Sequence, residues 1–276
     1  MSYATLMVYI DLDDRNGARL NIAGDLAERF NARVIGVAAQ SEIMPMGLTD
    51  DYSAAYALEQ NLASTKLRLQ EAEERFRAAL GGRVKRLEWR SAIEAPAAFI
   101  ANQCRAADLI ILGHSSAEDV LDLGWDIDPG DLIARAGRPI LLVPYEVETL
   151  KAERILVGWT DSAEARRAVY DALPLLRRCQ TAIVAEIDKN DDPAAAKRRL
   201  DDVVAWLACH GVNAAGVVEQ PSRDHVAAQL DALAKKEGAD LLVTGAYGHS
   251  KLREWILGGA TRDLLKQTAR CHMLSH

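Results

Sequence analysis

The sequence predicts an α/β protein made of two doubly wound domains in tandem, each on a five-stranded parallel sheet. Three observations carry the prediction. Apolar strand-like runs alternate with helical patterns along the whole chain. A segment of the first half recurs in the second in fixed register. A glycine-rich stretch that follows an apolar run in the second copy is largely replaced by acidic residues in the first.

The bulk properties agree. The chain has 276 residues, 49% apolar and 26% charged, enough for one large core or two ordinary ones. Its formal charge of -7 argues against broad binding to nucleic acid or to an anionic membrane. Met1-Ser2-Tyr3-Ala4 lacks the basic stretch and apolar core of a signal peptide, and no apolar run approaches the roughly 20 residues of a membrane span. Cys104, Cys179, Cys209 and Cys271 form no CxxC pair, so four ordinary thiols in a reducing cytoplasm are expected.

Taken in order, the first half predicts strands near 5–10, 33–39, 84–89, 108–112 and 139–143, with helices near 15–30, 57–80, 94–105 and 129–136. The second predicts strands near 154–159, 181–187, 213–218, 240–244 and 271–275, with helices near 162–178, 193–210, 223–237 and 260–268. Runs such as Ile155-Leu156-Val157 and Leu241-Leu242-Val243 are continuously apolar, as a sheet covered on both faces requires. Ser162 is a natural N-cap, and Gly211 and Gly238 are natural helix stops. Ala107 to Gly113 matches Ala239 to Gly245 at an offset of 132, whereas Leu6 to Asp11 matches Ile155 to Thr160 at an offset of 149. The first copy is therefore longer by 17 residues, an excess that falls around Ser41 to Leu80. Domains of 1–146 and 152–276 are expected, joined by a short charged tether.

In such sheets a ligand collects at the carboxyl ends of the strands where the winding reverses, between the first and fourth strands. The loop after Thr160 and the loop after Thr244 would flank one crevice. Gly245-Ala246-Tyr247-Gly248, followed by Gly258-Gly259-Ala260-Thr261, places bare backbone between a strand and a helix start, a geometry suited to phosphate.

The spacing Gly245-x2-Gly248-x9-Gly258 resembles the nucleotide-binding signature of the universal stress protein family, and the run from Gly245 to Glu254 resembles its tandem bacterial members. The resemblance implies Rossmann-like domains of the adenine nucleotide alpha hydrolase-like kind. It also implies ATP, with magnesium where the triphosphate carries it, held in the C-terminal domain by Gly245, Gly248, Gly258, Gly259, Ala260 and Thr261. Trp159, Thr160 and Asp161 would stand at the adenine end, Trp159 either stacking on the base or packing. It further implies that the two domains pair as an internal pseudo-dimer through their last strands, and that two chains can pair in a homodimer.

Two departures weigh on that site. Gly259 stands where the signature carries Ser or Thr, and Thr160 where ATP-binding members carry Asp. One lost hydroxyl bond is of order 1 kcal/mol, so binding is expected to survive. The first copy keeps Asp11 but has Ser116, Asp126, Ile127 and Pro129 in place of the loop residues, among Glu118, Asp119, Asp122 and Asp128, and is expected to bind no nucleotide. These acids read as solvated surface and His249, His272 and His276 as ordinary histidines, so no metal is expected. Met44, Met46, Tyr52 and Tyr56 suit either a partner-binding loop or a local cover. No nucleophile elbow, Walker sequence or His–Asp–nucleophile set is present. The expected protein is a non-catalytic stress-response module that binds an adenine nucleotide. A nucleotide-free scaffold and a slow ATPase are the alternatives.

Overall fold

The computed structural model describes residues 2–13, 15–42, 51–114, 127, 129–189, 191–222, 226–246 and 270–276. The first half runs β1 (Thr5–Tyr9), α1 (Gly17–Phe30), β2 (Arg33–Ala39), α2 (Asp51–Leu80), β3 (Leu87–Ala92), α3 (Pro96–Gln103), β4 (Leu109–His114), α4 (Pro129–Ala136) and β5 (Ile140–Pro144). The second runs β6 (Arg154–Trp159), α5 (Ala163–Leu176), β7 (Thr181–Ile187), α6 (Pro193–Cys209), β8 (Ala214–Glu219), α7 (Val226–Glu237), β9 (Leu241–Gly245) and β10 (Cys271–Ser275). The helix predicted near 260–268 and the loop residues Met44 and Met46 lie outside the described residues, whereas Tyr52 and Tyr56 are exposed on α2.

The ten described strands form one sheet in the order β3-β2-β1-β4-β5-β10-β9-β6-β7-β8. Within each half every pairing is parallel, and β1 against β4 (Leu6 opposite Leu109) matches β6 against β9 (Ile155 opposite Leu241). The sole antiparallel pairing among the described residues is the seam, where β5 meets β10 with Leu141 opposite Met273. Because equivalent strands meet head to tail, the carboxyl ends of the two sets of strands point to opposite edges of the sheet.

Local chemistry sets the element ends. Asn31 takes the left-handed conformation (φ 51°, ψ 40°) that stops α1, and its N–H reaches the carbonyls of Ala27 and Glu28. Ser162 caps α5, accepting from the Ala165 N–H at 3.3 Å, and Asp192 caps α6, accepting from Ala195 at 2.9 Å. Gly211 and Gly238 follow α6 and α7 with φ of 76° and 64°, a backbone that only glycine adopts without strain. The extra length of the first half is largely helical: α2 has 30 residues where α6 has 17.

One apolar core runs without a break across the seam. It joins Leu6, Val8, Phe76 and Leu141 of the first half to Met273, Val157, Ala168 and Leu200 of the second, beneath α1, α2, α5 and α6. The opposite face is divided between a cluster under α3 and α4 and another under α7. Polar ties reinforce the seam. The Tyr3 hydroxyl donates to the Asp171 carbonyl at 2.7 Å, and the Ser275 hydroxyl donates to the Asp171 carboxylate at 2.5 Å. Arg178 donates to the Arg29 carbonyl and lies over the Phe30 ring at 4.8 Å.

A shared core makes unfolding a single event. Leu141→Ala is expected to cost about 2–5 kcal/mol and to lower one calorimetric transition without splitting it into two. Burial raises the Asp171 carboxyl above its ordinary pKa, against the lowering effect of Ser275. The fold therefore favours the protonated acid. The stability it contributes is present below the unfolded-state value and lost as pH rises through the folded one. The melting temperature of the wild type relative to Asp171→Asn is expected to fall as pH rises above about 4, the ordinary carboxyl value.

Candidate functional site

Each half carries a glycine at the end of its fourth strand, Gly245 against the backbone of its first helix and Gly113 against the Arg19 and Tyr145 side chains. At Gly245 an added Cβ would lie 2.6 Å from the Ala165 nitrogen and 2.6 Å from the Glu164 carbonyl carbon. These are backbone atoms of the first turn of α5, which cannot yield as a flexible side chain can. Gly245 is thus required by packing before any ligand is considered. Thr244 stays buried beside it, with its hydroxyl 2.8 Å from His272 Nε2 in a hydrogen bond.

The two switch points differ in what fills them. Arg19 is the third residue of α1 and Ala165 the third of α5. Arg19 is 1% exposed, and its guanidinium lies where a Cβ on Gly113 would meet it at 2.7 Å. It donates to the Tyr9 carbonyl at 2.6 Å and is ion-paired with Asp11. Asn16 bridges to the Asp11 carbonyl, and Arg15 lies over the Tyr145 ring at 5.1 Å. Tyr145 itself would meet the same added Cβ at 2.8 Å. The crevice between β1 and β4 is therefore plugged by the protein's own cation, and Asp11, the acid just after β1, is committed to it.

In the C-terminal half the third residue of the helix is Ala165, whose methyl cannot reach across as Arg19 does. Around the crevice, Thr160 is exposed and its hydroxyl lies 3.3 Å from that of Ser162. Asp161 is about half exposed and ion-paired with Arg166. Its position beside Thr160 matches the sequence expectation, but its carboxylate turns to α5. The Trp159 ring is 6% exposed and packs in the shared core under α5 and α6, the second of its two readings. Glu164 sits in the first turn of α5, where the helix-end N–H groups, the Ser162 hydroxyl, His276 and Arg167 hold its carboxyl below its ordinary pKa. The N-terminus of α5 thus already carries an anion of its own.

On the β10 side the Ala246 N–H donates to the Ser275 carbonyl at 2.7 Å, and His276 Nδ1 pairs with the Ala246 carbonyl at 3.1 Å. Gly248, Gly258, Gly259, Ala260 and Thr261 lie outside the described residues, as do His249 and the acidic residues from Glu118 to Asp126 together with Asp128. Among the described residues no group of three His, Cys, Asp or Glu side chains is placed to hold a metal ion. Arg19 and Tyr145 were not legible as site residues. A charged residue near a helix start and a tyrosine in an interdomain tether look like surface until the sheet places them against Gly113.

Residues 151–274 match the universal stress protein family. No curated protein matches the sequence. Among solved structures, a universal stress protein from Archaeoglobus fulgidus DSM 4304 is similar at 14% identity and a TM-score of 0.78, covering 98% of this chain and 95% of its own. A putative universal stress protein from Pseudomonas aeruginosa UCBPP-PA14 is similar at 18% identity and 0.61, covering 99% and 93%. At these identities the likeness is one of fold, and it extends over both halves of the chain.

Replacing Gly245 by Ala is expected to destabilise the protein by about 1–3 kcal/mol with no nucleotide present. Gly82→Ala, where nothing lies within 4 Å of the added Cβ, is expected to change stability by less than about 0.5 kcal/mol. Urea denaturation of the two variants measures the contrast.

Proposed function

We propose that this chain, a universal stress protein by its C-terminal half and by the fold of both halves, binds ATP in that C-terminal half. It acts as a regulatory or protective module of the stress response and catalyses no reaction of its own. One observation carries the restriction to a single half: the Arg19 guanidinium fills the N-terminal switch point against Gly113, whereas the third residue of α5 is Ala165, with no long side chain to do the same. The C-terminal half also presents Gly245 at the end of β9 beside β6, with Gly248, Gly258, Gly259, Ala260 and Thr261 following in the sequence. In that order the sequence expects bare backbone ahead of a helix start, an arrangement suited to a triphosphate that accepts N–H bonds. Thr160 and Asp161 stand across the crevice for the base and ribose, and magnesium accompanies the triphosphate.

The β5–β10 seam supports reading the two halves as an internal pseudo-dimer, and a homodimer of chains is a further step of the same proposal. No described helix is long and apolar enough to cross a membrane, which fits a cytoplasmic setting. The second reading, a scaffold without nucleotide, is favoured by one specific feature: the Glu164 carboxylate occupies the N-terminus of α5.

Titration with fluorescent ATP in the presence of magnesium tests the proposal. Gly258→Val is the informative variant, since Gly245 serves packing. The wild type is expected to bind saturably, and Gly258→Val to bind at least about tenfold more weakly, a difference of about 1.4 kcal/mol. No binding by the wild type, or equal binding by both, contradicts the proposal and leaves the scaffold reading.

A further inference from the structure

The two helices that follow the first strands carry opposite charges in the same turn. In α1 the second and third residues are Ala18 and Arg19, whereas in α5 they are Glu164 and Ala165. The cation of the N-terminal half is buried and ion-paired with Asp11. The anion of the C-terminal half stands against the end of β9, where the Glu164 Cβ lies 3.0 Å from the position a Cβ on Gly245 would take. A charged side chain therefore begins at the glycine that opens the loop.

The carboxylate of Glu164 is served from within the first turn. It accepts from its own backbone N–H and from the Ser162 hydroxyl. That hydroxyl also accepts from the Ala165 N–H at 3.3 Å and lies 3.3 Å from the Thr160 hydroxyl. The cations whose charge reaches Glu164 are His276 and Arg167, and both are engaged. Arg167 donates to the His276 carbonyl at 2.5 Å, and His276 Nδ1 pairs with the Ala246 carbonyl at 3.1 Å. Arg166 is ion-paired with Asp161. The N–H groups and dipole that favour a carboxylate at a helix start are those that would favour a phosphate there. A phosphate brought to Gly245 thus meets an anion that already uses those donors, and the like charges oppose each other.

We infer that Glu164 is a specificity-determining residue of the C-terminal crevice and selects its ligand by charge. The crevice takes an adenine nucleotide whose phosphates are partly neutralised by magnesium and opposes the same nucleotide without the metal. Resting on the nucleotide reading above, this selection names the form of the ligand that the site accepts. Adenosine, which has no charge, is indifferent to it.

Calorimetric titration of the wild type and Glu164→Gln with ATP in excess magnesium, with ATP in EDTA and with adenosine tests the selection. Glutamine keeps the shape of the side chain and an oxygen that accepts from Ser162. The variant is expected to bind magnesium-free ATP about fivefold more tightly than the wild type, and magnesium-bound ATP less than about twofold more tightly. Adenosine is expected to behave alike in both. The gain for magnesium-free ATP is expected to fade at high salt, as screening of a charge requires. Without any nucleotide the variant is expected to melt lower, because α5 loses the anion at its start. Tighter binding in a less stable protein separates competition from a loosened fold. No gain for magnesium-free ATP, an equal gain with magnesium or with adenosine, or weaker ATP binding by the variant each overturns the inference and leaves the nucleotide reading standing. Failure of both proteins to bind ATP in any condition removes that reading, and this inference with it.

Discussion

What meets the glycine at the end of the fourth strand sets the character of each half of this molecule. In a doubly wound sheet the helix after the first strand leaves across the neighbouring strand, and a glycine there lets the two backbones touch. At Gly245 the remaining space is so small that a single methyl would meet the α5 backbone at 2.6 Å. What the third residue of the helix contributes then decides the character of the crevice. An alanine adds only a methyl, whereas an arginine at the corresponding place in α1 fills it with a guanidinium that Asp11 and the Tyr9 carbonyl hold fast. A buried charge is tolerated when it is paired and hydrogen-bonded, and this one is both.

The seam between β5 and β10 gives that difference a geometric consequence. Antiparallel pairing of the two last strands sends the switch point that Arg19 fills to one edge of the sheet and its C-terminal counterpart to the other. Nothing bound at one edge can touch the other directly. Any influence of one half on the other has to pass through the common core under α1, α2, α5 and α6, or through the Tyr3, Asp171 and Ser275 ties beside the seam.

Most of this architecture was legible in the amino-acid order. Continuous apolar runs such as Leu241-Leu242-Val243 gave β9, and the internal repeat gave the order of pairing once the first and fourth strands were matched. Ser162, Gly211 and Gly238 marked element ends because each has a specific backbone or capping reason to stand there. The excess of the first half proved largely helical because α2 continues well beyond the length of α6. The site was less legible. Repeat matching from the first strand aligns Arg19 with Ala168, but the connection into α1 is longer, and the helices themselves align Arg19 with Ala165. Periodicity treats an arginine as an exposed residue, so its burial against Gly113 left no trace in the pattern. Trp159 was ambiguous for a related reason. A strand-end aromatic can face the ligand edge or the sheet face, and strand alternation together with the width of the α5–α6 gap sent it to the face. Gly245 carried two meanings in one letter, a permissive turn and a close helix contact, and the second is visible only in three dimensions.

The asymmetry between the two switch points is the centre of this account, and photo-crosslinking with an azido-ATP probe addresses it most directly. The account predicts one label per chain, competed by unmodified ATP and recovered in peptides of the C-terminal half. Competed labelling within residues 1–146, two labels per chain, or no competed labelling would contradict it.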